Sequence, residues 1–138
     1  MVSEFQSPSA NELPTLKSQP GSARKPYDIR ERTFEFAVRV LGIAGAVPGE
    51  GPGKMIAGQL ARSASSVGAN VEEADGAVTR ADKRRTLIIA RKEAREARYW
   101  LRLLDRLWGA KLPVREDIEE ARELIYILSA IIDKLGVR

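Results

Sequence analysis

Between residues 80 and 108, apolar side chains recur at Leu87, Ala90, Ala94, Ala97, Leu101, Leu104 and Trp108, in steps that alternate between three and four. Such steps bring them all onto one stripe of an α-helix, whereas a strand, with its period of two, would scatter them over both faces. A stripe kept over three heptads is a seam that must lie along other helices. The segment therefore predicts one continuous helix from Arg80 to Trp108, about 43 Å long at 1.5 Å per residue. Thr79 is its expected N-cap, with Asp82 three residues on in an approximate capping box. Gly109 ends it.

The rest of the chain supplies the partners. The spacing predicts a helix over about Gly53 to Ala77, where Ile56, Leu60, Ala64, Val67, Val71 and Ala74 form a core stripe. A helix from about Asp28, a fitting N-cap, to Val47 precedes it. In that first helix Phe34, Val38 and Leu41 share one side, and Phe36, Val40 and Ile43 broaden the apolar surface. A last helix is expected from Pro113, a residue favoured in a first turn, to Gly136. Its stripe is Val114, Ile118, Ala121, Ile125, Leu128, Ile132 and Leu135. Four amphipathic helices with short connections, and no run of β period, imply an all-α, antiparallel up-down-up-down four-helix bundle over residues 27–138. Residues 1–26 hold four prolines, many small polar residues and no periodicity, and are expected to be a disordered tail.

Composition narrows the chemistry. A chain of 138 residues is one domain's worth. It contains no cysteine and no histidine, which removes the commonest zinc, copper and haem ligands and the commonest general base. No catalytic residues, cofactor or metal are expected. No run of about 18 apolar residues is present, so no membrane span is expected. The first 26 residues lack the apolar centre of a secretory signal, which makes the cytoplasm the expected location. The stretch PGEGPGK, residues 48–54, matches a phosphate-binding loop only in part: Pro48 stands where that motif needs glycine, and Met55 where it needs Ser or Thr. The net charge of +4 permits anionic partners without naming one.

Residues 59–74, QLARSASSVGANVEEA, carry Gln59, Leu60, Arg62, Ser66, Asn70 and Glu73 at fixed spacings. Together with the small-residue stretch from Ala90 to Glu96 and the YWLRLL that follows, they resemble the four-helix-bundle family that includes the intervening-sequence proteins of the large-subunit ribosomal RNA. The likeness covers roughly residues 27–136. Gly68, Ala74 and Glu93 depart from the pattern, at positions where relatives favour proline, glycine and serine. The resemblance implies a non-enzymatic up-down bundle, often a ring-shaped homopentamer. Similar bundles serve as basic accessory subunits of diversity-generating retroelements, where they contact a reverse transcriptase and RNA; a shared fold does not by itself transfer that role.

Three constellations carry the functional expectations. The first is a polar layer of Arg62, Ser66, Asn70, Glu73 and Glu96 beside the apolar seam of the second helix. One reading is a hydrogen-bonded layer that fixes helix register. The other is a carboxylate metal site from Glu73, Glu93 and Glu96, which lacks the histidines that di-iron bundles use. The second constellation is a further apolar face on the third helix, Ile89, Trp100, Leu103 and Leu107, about 100° round from its seam. It implies either a deeply embedded helix or a subunit interface, and homo-oligomerisation is the expectation.

The third is a ridge of arginines. Arg80, Arg84, Arg91, Arg95, Arg98, Arg102 and Arg106 project within an arc of about 80°. Residues 80–108 hold ten basic and four acidic side chains, a net +6, against three basic and six acidic over residues 113–135, a net −3. The ridge can pair with the carboxylates of the last helix, or stay open and take phosphates, which guanidinium forks match two oxygens at a time. The leading expectation is a non-catalytic oligomeric scaffold or adaptor whose ridge engages RNA or a nucleoprotein. The alternative is a purely protein-binding module, and the third a small-ligand or metal-binding bundle.

Overall fold

Asp28 opens the first helix by accepting hydrogen bonds from the backbone N–H groups of Arg30 and Glu31 at 3.1 and 3.3 Å. That helix, α1, runs Ile29–Ala46. It is followed by α2, Pro52–Asp75, α3, Arg80–Trp108, and α4, Arg115–Gly136. The computed structural model describes residues 28–136; the tail expected over residues 1–26 lies outside them. Thr79 caps α3 by accepting from the Asp82 N–H at 3.0 Å. The last helix begins two residues later than expected. Pro113 and Val114 form its approach, and the Val114 carbonyl accepts from the N–H groups of Asp117 and Ile118.

Cross-links between helices fix the topology. Arg30 reaches Asp75, and Arg62 reaches Glu93 and Glu96. Arg91 meets Ser129, and Arg84 meets the Ile132 carbonyl. Arg32 meets Glu120, and Arg39 meets Asp117. Each neighbouring pair is thus antiparallel, and the four helices close into an up-down-up-down bundle. No helix among the described residues is long and apolar enough to cross a membrane.

The core fills in two continuous halves. Phe36, Val40, Leu60, Leu101, Leu104 and Leu124 anchor the half near the α3–α4 connection. Val67, Val71, Leu87, Leu128 and Ile132 anchor the other. On α1 the buried set is Thr33, Phe36, Val40 and Ile43. Phe34, Val38 and Leu41, which share one side of that helix, are exposed. Thr33 joins the core because its hydroxyl donates back to the Ile29 carbonyl at 2.8 Å and so leaves no polar group unmet.

The seams differ in kind. α2, α3 and α4 meet along their apolar stripes, whereas α1 approaches α4 least closely of the neighbouring pairs. Charge bridges that sparse seam. Arg32 donates to both oxygens of Glu120 at 3.0 and 2.8 Å and to Glu123 at 2.8 Å. Arg39 grips Asp117 with two bonds of 2.9 and 3.2 Å. The glycines of the connector Pro48–Gly51 and the start of α2 serve the turn. Gly51 takes a φ of +58°, and a Cβ on Gly53 would overlap the Pro48 carbonyl oxygen.

Candidate nucleic-acid interface

The seam of α3 turns its arginines away from the core, but not by equal amounts. With 3.6 residues per turn, Arg80, Arg91 and Arg98 project nearest the α4 side, and Arg95 and Arg106 furthest from it. The structure follows that division. Arg80 donates to the carbonyls of Lys134 and Leu135 at 2.7 and 3.2 Å. Arg84 donates to the Ile132 carbonyl at 3.2 Å, and Arg91 to the Ser129 hydroxyl at 3.1 Å. Arg98 is half-buried, and its Nε makes no hydrogen bond. Arg95, Arg102 and Arg106 are exposed.

None of these seven arginines forms an ion pair among the described residues. Every other described arginine does: Arg30 with Asp28 and Asp75, Arg32 with Glu120 and Glu123, and Arg39 with Asp117. Arg62 pairs with Glu93 and Glu96, Arg85 with Asp82, Arg115 with Asp105, and Arg122 with Glu119. Of the α4 acids, Asp117, Glu120 and Glu123 pair with Arg39 and Arg32 of α1, and Glu119 with Arg122 of its own helix, so these four do not pair with the ridge. Glu119 comes nearest to doing so. Its carboxyl is held below the usual range mainly by its hydrogen bond to Arg122, with a smaller contribution from the charge of Arg98.

Two tyrosines are exposed, one on α3 beside this face and one on α4. Tyr99, exposed between Arg95 and Arg102 in sequence, sets its ring edge-on to Trp100 at 5.1 Å. Tyr126 on α4 is exposed, with the Arg122 guanidinium 5.3 Å from its ring centre. Tyr126 was not singled out from the sequence.

The polar layer is partly assembled. Arg62 spans α2 to α3, 3.3 Å from Glu93 and 2.8 Å from Glu96. That bond is the main reason the Glu96 carboxyl lies below its ordinary range. Asn70 donates to the Ser66 carbonyl and hydroxyl at 2.9 and 3.2 Å, within one helix. Glu73 is exposed and stands apart from this group. No group of three metal-ligating side chains exists among the described residues.

The second apolar face divides as well. Trp100 and Leu103 are half-buried and pack on the bundle's own core. Ile89 and Leu107 remain 40% and 53% exposed.

Comparison with known proteins agrees with this architecture. A crystal structure of a protein of unknown function from the S23 ribosomal protein family of Bacteroides thetaiotaomicron superposes with a TM-score of 0.66. It is 33% identical in sequence, and the alignment covers 75% of this chain and 97% of that one. No functionally curated protein matches the chain significantly. The family profile described as 23S rRNA-intervening sequence protein matches residues 25–134. The chain therefore belongs to the 23S rRNA-intervening sequence protein family.

Proposed function

We propose that the protein is a non-catalytic RNA-binding bundle whose α3 arginine face lies along the phosphates of structured RNA. The observation that carries this reading is the division of the arginines. Those outside the ridge are paired with carboxylates, and the seven on it are not. Phosphates supply the missing counter-charge, two oxygens to each guanidinium fork, and release condensed cations as they bind. Arg95, Arg102 and Arg106 are the outward contacts; Arg91 and Arg98 line the approach to α4. The family's name joins it to 23S rRNA, a polyanion of the required kind. A ridge about 39 Å long, from Arg80 to Arg106 at 1.5 Å per residue, favours backbone contact over base reading. A non-catalytic role fits a chain without cysteine or histidine, in which the buried acids Glu93 and Asp117 are each held by an arginine.

The test is fluorescence anisotropy with a structured RNA at several salt concentrations. It compares the wild type with the triple variant Arg95→Glu, Arg102→Glu, Arg106→Glu, with helicity checked by circular dichroism. These three side chains hold nothing in the bundle together, so the variant folds. The wild-type affinity falls steeply with salt, and the variant's slope is shallower by about 3. Binding that ignores salt, or a triple variant that binds with the affinity and salt slope of the wild type, rejects the reading.

A second reading has its own observation. Ile89 and Leu107 stay exposed beside the half-buried Trp100 and Leu103 on one side of α3. A second copy of the chain covers this face in a homo-oligomer, with the arginine face left on the rim.

A further inference from the structure

At the N-terminal end of α3, Arg80, Arg84 and Arg85 line a hollow of about 770 Å³, whose apolar wall includes Ile88 and Leu135. No carboxylate of the described residues lines it. Two of its arginines are fixed in place by neutral acceptors. Arg80 holds the carbonyls of Lys134 and Leu135, and Arg84 holds that of Ile132. A carbonyl orients a guanidinium without cancelling its charge. Each guanidinium has five N–H donors; these bonds use two on Arg80 and one on Arg84. Gly136 preserves the arrangement, because a Cβ there would stand 2.6 Å from the Arg84 Nε and 3.0 Å from its Cζ and Nη2.

The charge balance names the ligand class. Among the described residues, three guanidinium groups line the hollow, and one carboxylate, Asp82, pairs with Arg85. The carbonyl end of α4 adds about half a negative charge and the N-terminus of α3 about half a positive one, leaving an excess of about +2. A phosphomonoester carries about −1.5 to −2 at neutral pH and offers three acceptor oxygens. A phosphodiester carries a single charge and two free oxygens, and suits the open ridge instead. We propose that the hollow is a phosphomonoester site, which takes either a terminal phosphate of RNA or a free phosphate ester. In its RNA form the inference rests on the reading above; in its free form it does not.

The experiment has two arms, both with the intact chain. In the first, inorganic phosphate and adenosine monophosphate are titrated while the arginine Nε–H resonances are followed. In the second, one RNA is compared with a 5′-phosphate and with a 5′-hydroxyl. Arg85→Gln serves as the variant, because Arg85 makes none of the bonds that cap α4. The triple ridge reversal serves as the control for general charge.

A phosphate site shifts the Arg84 and Arg85 resonances, or favours the 5′-phosphorylated RNA by about tenfold, as charge-assisted bonds to the extra charge require. That response is lost in Arg85→Gln and kept in the ridge variant. Shifts with the small esters alone identify a free ester as the ligand, and a preference among RNAs alone identifies the RNA end. Should neither arm respond, or should Arg85→Gln respond like the wild type, the hollow is only a helix cap and the inference fails. Loss of RNA binding with intact phosphate shifts removes the RNA reading and leaves this one standing.

Discussion

Arg39 and Asp117 form a two-bond ion pair, at 2.9 and 3.2 Å, across the α1–α4 seam, with the Asp117 side chain only 2% exposed. Removing the acid strands a guanidinium in a largely dry crevice. Asp117→Ala is therefore expected to destabilise the bundle by about 3 kcal/mol, while Arg39→Met with Asp117→Leu recovers most of that loss. Urea unfolding of the two variants checks it. A single variant as stable as the wild type would show the pair to be incidental.

Two glycines of α2 respond oppositely to alanine. At Gly53 the new Cβ overlaps the Pro48 carbonyl oxygen, which belongs to backbone and cannot swing aside. Gly53→Ala is expected to destabilise by about 1–3 kcal/mol. At Gly58 a Cβ meets nothing within 4 Å. Gly58→Ala is expected to stabilise by about 0.5–1 kcal/mol, through the lower chain entropy of the unfolded state. Thermal melts of both variants decide it, and shifts of the same sign contradict the geometry.

Acid acts on this molecule through carboxylates alone. Glu96 and Glu119 lie below their ordinary value of 4.5, and Asp82 below 3.8, chiefly through hydrogen bonds to Arg62, Arg122 and Arg85 in turn. A carboxyl depressed on folding contributes stability that is complete above its unfolded pKa and lost as the pH falls through the folded one. With no histidine in the chain, the urea midpoint is expected to stay level between about pH 8 and pH 5. It then declines below about pH 4.5, and Glu96→Gln shows a smaller decline. A midpoint that climbs on acidification would contradict the ion pairing.

If a second copy covers the α3 apolar face, a charge placed there separates the subunits. Leu107→Lys is expected to convert the oligomer to a particle of 15.2 kDa in multi-angle light scattering, without loss of helicity. A wild type that already scatters at that mass at micromolar concentration rules out self-association through this face.

The α3 seam was legible because seven positions obey one period, and the observed helix, Arg80–Trp108, has the expected ends. The face of α1 was not. Phe34, Val38 and Leu41 make as good a stripe in sequence as Phe36, Val40 and Ile43. The choice falls to the positions of α2 and α4, and to Thr33, whose hydroxyl finds its partner within its own helix. The acids of α4 could be read as serving the helix dipole or the arginines of α3. In the structure Asp117, Glu120 and Glu123 turn to Arg39 and Arg32 of α1. Helical spacing places the seven arginines in one arc. It could not show which arginines lean on α4, because that depends on how far the neighbouring helix wraps round.

The ionic closure of α1 against α4 gives electrolyte two separate targets on this molecule. Raising its concentration weakens any hold on a polyanion, and it also loosens the edge of the bundle that packs most sparsely and leans on the partly exposed pairs of Arg32 with Glu120 and Glu123. Protease cutting near the Pro48–Gly51 connector should therefore quicken at ionic strengths that leave the α2–α3–α4 packing intact. A brine wash meant only to strip bound nucleic acid would then also leave a bundle with one helix ajar.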